Sequence, residues 1–159
     1  VLLLLVVMSV LGIAVLRSSG MQERMSANMR DRSLAFQAAE SALRYAQDEV
    51  LGVAASNWDK KIPTATDCTD SGICPTKSAA SWHAVPAGKY DATRLAAPPE
   101  YWIEYLGTGP GYKGSCDTDP PSIDCRNPMF LITARSQASG RADVMLQSVI
   151  SSRIPTPGT

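Results

Sequence analysis

The sequence has little charge and almost no histidine. Charged residues make up 19% of the 159 positions, below the usual quarter. Lys+Arg and Asp+Glu both number 15, leaving no net charge. A nucleic-acid partner is therefore not expected, because phosphate recognition calls for a basic excess. His83 is the only histidine, so any Ser-His-Asp or Cys-His engine would have to be built around it. It lies between Trp82 and Val85 in a stretch without periodicity, as a surface or packing residue does. No paired-carboxylate or nucleophile motif stands out elsewhere, and the expectation is a protein that is not an enzyme, with no cofactor and no small-molecule substrate.

Metal and phosphate motifs are absent too. Zinc ligand pairs lie two to four residues apart, whereas five residues separate Cys68 from Cys74 and eight separate Cys116 from Cys125. Asp117, Asp119 and Asp124 in one loop, and Asp67 and Asp70 in another, lack the glycine and terminal glutamate of a calcium loop. Gly107 to Gly114 mimics a phosphate loop, but Pro120-Pro121 follows where a helix would have to start. The four cysteines instead form two short-range pairs in a loop-rich chain, the usage of an oxidising compartment such as a periplasm. Nearest-neighbour pairing, Cys68 with Cys74 and Cys116 with Cys125, is the simplest of three connectivities.

What is present is concentrated at the front. Val1 to Leu16 carries no charge, and Ser9 and Gly12 are its only residues outside the apolar set. As a helix the run would be roughly 24 Å long, a few residues short of the about 20 that a bilayer core requires. No basic region precedes it and no small-residue cleavage site follows it, so it does not read as a signal peptide. A buried core helix at a terminus would show a polar face. A membrane anchor whose first residues are missing fits best, with Leu2, Leu5, Val6, Val10, Ile13 and Leu16 as its membrane or filament-core positions. Arg17, Arg24, Arg30 and Arg32 follow the anchor, and positive flanks normally stay in the cytoplasm, against the compartment the cysteines indicate.

The helical pattern continues past Gly20. Met21, Met25 and Met29 recur every fourth residue, and Phe36, Ala39, Leu43, Ala46 and Val50 carry the apolar stripe onward at spacings of three and four. Those five are expected to pack the helix on a sheet. Glu40 and Arg44 form an i,i+4 pair in the favourable order, and Gly52 is the expected stop. The whole reads as one helix of about fifty residues, roughly 75 Å long, too long for a domain of this size to bury. Gly12 and Ser18-Ser19-Gly20 are its weak points.

Downstream, residues 53–99 show turn formers and no clear periodicity, with Trp58 and Trp82 expected to cover the sheet or the helix. Glu100 to Leu106 is rich in strand formers and ends at Gly107. Met129 to Arg135 reads as a second strand. Ala142 to Ser151 reads as a third, with Val144, Leu146, Ser148 and Ile150 alternating against Asp143, Met145, Gln147 and Val149. Gln137 to Gly140 joins the last two as a hairpin. The expected fold class is α+β, a long N-terminal helix on a small antiparallel sheet. It divides into residues 1–20 (membrane or filament-core helix), 21–52 (amphipathic helix), 53–99 (connecting region), 100–152 (sheet) and 153–159 (loose tail).

Leu2 to Gln47 resembles the N-terminal signature of type IV pilins, and of the minor pilins called PilX in particular. Glu23-Arg24-Met25, Asn28, Arg30-Asp31-Arg32 and Phe36-Gln37-Ala38-Ala39-Glu40 carry the likeness. It implies the type IV pilin fold, a short basic leader removed by prepilin peptidase, a methylated new N-terminus, and a globular part in the periplasm. Such a leader would resolve the orientation conflict. Neither the cleavage site nor the fifth-position Glu of major pilins is in this sequence. The resemblance also implies a minor pilin that primes pilus assembly at or near the tip, supporting twitching motility and adhesion. Its partners would be other minor pilins, the major pilin, a large tip adhesin and the inner membrane before assembly. Two alternatives share the architecture: a secretion pseudopilin, and a membrane-tethered adhesion or DNA-uptake subunit.

Overall fold

The computed structural model describes residues 1–52, 62–63, 66–69, 72–109 and 127–151, with the backbone alone at 14–18 and 108–109. A single helix, α1 (Leu2–Leu51), is followed by β1 (Ile73–Pro75), β2 (His83–Ala84), a 3-10 turn (Ala92–Arg94), β3 (Glu100–Gly109), β4 (Asn127–Ser136) and β5 (Val144–Ser151). Helix α1 runs unbroken through Gly12 and Gly20, where an added Cβ would meet nothing within 4 Å. Neither end of α1 is capped by a side chain, and its first and last turns lack the helpful charges. Its stability therefore rests on what it packs against. At the far end the Gly52 amide donates to the Asp48 carbonyl at 2.7 Å. A Cβ on Gly52 would lie 2.7 Å from that same oxygen, which is why a glycine closes the helix.

The described strands form one sheet in the order β1-β3-β4-β5, with β2 pairing β3 off that path. Strands β3, β4 and β5 are antiparallel neighbours. The sheet as a whole is mixed, because β1 runs parallel to β3 with Ile73 opposite Ile103. The connecting region thus contributes two strands that its sequence does not announce. They are three and two residues long, too short to display a period.

Strand β3 does not end at Gly107. The register slips between Tyr105 and Gly107, leaving Leu106 as the extra residue of a bulge. Gly107 takes a positive φ of 97°, a conformation open to glycine at little cost, and pairing resumes to Gly109. Residues 137–143 make the turn after β4, with Gly140 at φ 72°.

The core lies between α1 and one sheet face. Tyr101 and Ile103 of β3, Phe130, Ile132 and Ala134 of β4, and Ile73 and Val85 pack with Ala42, Ala46 and Val50 of the helix. Strand β5 alternates half-buried and exposed positions from Val144 to Ser151. Across the sheet from the helix, the Arg135 guanidinium lies 3.9 Å from the centre of the Trp82 ring. The same group pairs with Glu100 at 2.7 Å, and Trp82 packs against Trp102. Trp82 thus covers the sheet face that the helix leaves open. Trp58, the tail from 152 on, and the pair Cys116 and Cys125 lie outside the described residues.

The helix-to-sheet contact differs from the sequence expectation at one residue. Ala39, Ala46 and Val50 are buried, and Leu43 packs at the edge of the core. Phe36 is 48% exposed. The buried face is a row of small residues, Ala35, Ala38, Ala39, Ala42 and Ala46, spaced three and four apart. Phe36 falls one position round from Ala35, about 100° away on a helix of 3.6 residues per turn, and so points off the sheet.

Candidate assembly interface

The first half of α1 presents exposed apolar side chains along its described length. Leu2 is 81% exposed and Leu5 63%. Val6, Val10 and Ile13 are also exposed, and so are Leu3, Leu4, Val7, Met8 and Leu11 between them. The side chain of Leu16 is outside the described residues. Apolar side chains point in every direction from this segment, so no rotation of the helix would give it a wet face and a dry face. A helix apolar all round belongs in lipid or among other helices. Burying ten such side chains is worth on the order of 15–30 kcal/mol, at least as much as a domain's whole net stability. The polar atom in the segment is already satisfied, since Ser9 Oγ donates to the carbonyls of Leu5 and Val6 at 2.8 and 3.0 Å. Met21, Met25 and Met29 extend the exposed apolar surface toward the domain.

Among the described residues no helix is long and apolar enough to cross a membrane. The uncharged run stops at Arg17, short of a bilayer's hydrocarbon thickness.

The seated half begins at Asp31. Its carboxylate accepts the Ala142 amide at 2.6 Å and pairs with Arg141 Nε at 2.8 Å. Both donors come from the turn between β4 and β5. Above this point the alanine row brings the helix axis close to the sheet, and Gln47 Nε2 donates to Ser148 Oγ of β5 at 3.4 Å. Tyr45 packs on Tyr101 with ring centroids 5.5 Å apart. Burial pushes the Tyr45 hydroxyl above its ordinary pKa, helped by the charge and hydrogen bond of Glu49. Burial raises Tyr101 as well, with smaller contributions from Tyr45 and Glu49. An open cleft of about 730 Å³ lies where the free half leaves the domain, lined by Glu23, Asn28, Arg30, Arg94 and the Asp31–Arg141 pair among others.

At the opposite sheet edge, Cys68 and Cys74 form a disulfide. One hydrogen bond ties described residues of the loop to each other, and a second holds the chain just beyond β1. Thr69 Oγ1 accepts the Ile73 amide at 3.1 Å, and the Lys77 amide donates to Glu104 of β3 at 2.9 Å. His83 packs on Gly72, where an added Cβ would lie 2.5 Å from the imidazole Nε2. The lone histidine is thus a packing group for the disulfide loop, with Ser81 Oγ 3.4 Å from its ring nitrogen. Among the described residues no cluster of three His, Cys, Asp or Glu side chains could hold a metal ion.

Asp31 and three alanines of the row, Ala35, Ala38 and Ala42, are interface residues outside the expected packing stripe. All three alanines stand at helical spacing from Ala39 and Ala46 of that stripe. Asp31 stands in the Arg30-Asp31-Arg32 motif of the resemblance, but nothing local shows what it contacts, because its partners lie 110 and 111 positions away.

A long helix half seated on a small sheet agrees with what the family models find. The N-terminal PilX model matches residues 1–44, and the C-terminal model of the type IV pilus assembly protein PilX matches residues 35–152. The chain belongs to the PilX family. PilX proteins are pilus assembly proteins of the pilin type, so the family assigns a structural role among other pilus components. The two PilX models meet within residues 35–44, where the alanine row first touches the sheet. No curated protein and no solved structure matches the chain.

Proposed function

We propose that this PilX-family protein is a minor pilin that helps to prime type IV pilus assembly, at or near the filament tip. The observation that carries the reading is the free half of α1, apolar on every side and exposed from Leu2 to Ile13. Before assembly this half sits in the inner membrane with the globular part in the periplasm. On assembly it moves into the core of a filament among matching helices of other minor pilins and the major pilin. The transfer is inexpensive, because one apolar environment replaces another and each buried Å² of apolar surface is worth about 25 cal/mol in either. The disulfide suits the oxidising periplasm. Support of twitching motility and adhesion, through a large tip adhesin, follows from that place in the filament.

A charge in the free half tests this. In Val7→Asp, surface pili counted by electron microscopy should fall to a small fraction of the parent number. The near-UV circular dichroism of the full chain in detergent should stay unchanged, since Val7 is far from the core. Normal piliation in that variant removes the reading.

A second reading takes the protein as a binding module in which the loops at Cys68–Cys74 and Cys116–Cys125 hold a recognition surface. The exposed stretch Thr66 to Cys68 at the sheet edge favours it. Replacing Thr66 and Asp67 by alanine separates the two: lost adhesion with intact pili supports the module, and lost pili supports assembly.

A further inference from the structure

Helix α1 is a seat and an arm. The seat, Ala35 to Val50, is about 22 Å long, and the arm, Val1 to Arg30, is about 45 Å. A rod held over a length shorter than its free arm magnifies any play in the holder. A tilt of about 10° at the seat moves the arm at Leu2 by about 8 Å, close to the distance between the axes of two packed helices.

The seat itself resists sliding poorly. Ala35, Ala38, Ala39, Ala42 and Ala46 bring helix and sheet together, but methyl groups offer few ridges to interlock. Val50 in the core and Tyr45 on Tyr101 lock the far end of the seat; nearer the arm, direction has to come from polar contacts, which have geometry. Gln47 meets Ser148 well up the seat. At the boundary with the arm stands Asp31, with one carboxylate oxygen on the Ala142 amide and the other on Arg141 Nε. That amide precedes β5, which starts at Val144, so it is free of the strand ladder. Gly140 at φ 72°, with the Arg141 amide on the Ala138 carbonyl at 3.1 Å, shapes the turn that presents both donors.

We propose that Asp31 is a positioning residue for assembly: its two bonds to the 141–142 turn fix the tilt and rotation with which the free arm leaves the domain. This rests on the assembly reading above, since a fixed arm matters only if the arm docks among other helices. Asp31 touches no partner in this scheme and acts through the direction of the segment ahead of it.

The test places spin labels at Met21→Cys on the arm and Met145→Cys on the outer face of β5, in the full chain in detergent. The distance distribution should be narrow in the parent and broad in Asp31→Ala. Arg141→Ala, which keeps the Ala142 bond, should fall between them, as should Asp31→Asn, which keeps a neutral acceptor. Piliation should drop several-fold in Asp31→Ala and recover in part in Asp31→Asn. A distribution in Asp31→Ala as narrow as the parent's overturns the proposal. If Asp31→Ala loses its near-UV signal, the two milder variants decide, and parental widths in both overturn it. Broadened distances with normal piliation also overturn it. Normal piliation in Val7→Asp is a different failure: it removes the assembly reading and leaves the measured distances untouched.

Discussion

Ahead of Asp31 the helix exposes leucines, valines and methionines; behind it the helix buries a row of alanines. Leu2, Leu5 and Met21 are each more than half exposed, while Ala39, Ala42 and Ala46 are fully buried. In a finished globular protein the reverse would be expected, since large apolar residues gain most from leaving water. The inversion shows that the two halves answer to different surroundings. The seated half is fitted to its own sheet, where small residues permit close approach. The arm is fitted to something outside this chain.

The comparison breaks first, and most severely, under a charge in the arm. Val7→Asp should abolish most piliation while sparing the domain, because a carboxylate among apolar helices costs several kcal/mol and no domain contact is lost. The converse substitution is Ala42→Leu. Ala42 is fully buried in the core cluster, and extra methylenes in a packed core cost about 1–3 kcal/mol. The midpoint of urea unfolding in detergent should fall, with the arm's lipid affinity unchanged. Val7→Asp and Ala42→Leu having the same effect on domain stability would end the division into seat and arm.

How much of this the sequence shows depends on the range of each interaction. The helix, the β4–β5 hairpin and the alternation of β5 are written in local periods, and all three can be read without the fold. Strand β5 begins at Val144 and not at Ala142, because the Ala142 amide is taken by Asp31, a contact across 111 positions. Strand β1 pairs parallel with β3 some thirty residues away, and three residues carry no period to announce it. The Cys68–Cys74 pairing is the nearest-neighbour solution and is what the structure contains. Within the interface, the exposed arm is legible because sixteen uncharged residues admit few surroundings. The seat is legible in part: the apolar stripe takes in Ala39, Ala46 and Val50, which are buried, but it runs through Phe36 where the sheet is met by Ala35, Ala38 and Ala42.

Alkaline pH should loosen the seat and spare the arm. Tyr45 and Tyr101 lie in the seat, and burial holds both hydroxyls above the ordinary value of 10.0; burial does the same to Tyr105 of β3. No tyrosine precedes Tyr45. The folded state therefore keeps these protons to higher pH than the unfolded chain does. The stability they contribute is fully present below about pH 10 and is lost as pH rises through the folded values. Unfolding midpoints should drop over that range, and Tyr45→Phe should make the drop shallower. A midpoint that stays constant well above pH 10 would show that these hydroxyls are not held by the seat.

The smallest effect sharpens the comparison most. Phe36 sits in the seated stretch by sequence yet belongs with the exposed surface by position, at 48% exposure between Ala35 and Gln37. If size decided the packing, Phe36→Ala would cost the domain about 3–5 kcal/mol, as for a core aromatic. If the alanine row decides it, the change should stay within about 0.5 kcal/mol, as for an exposed site. Urea unfolding of the full chain in detergent resolves a difference of that size. A ring that protrudes from the side of the seat would still be available to a neighbouring subunit, so its removal should lower piliation while leaving the unfolding midpoint in place. A large loss of domain stability would place Phe36 in the core and return the helix contact to the stripe that runs from Phe36 through Ala39 and Leu43.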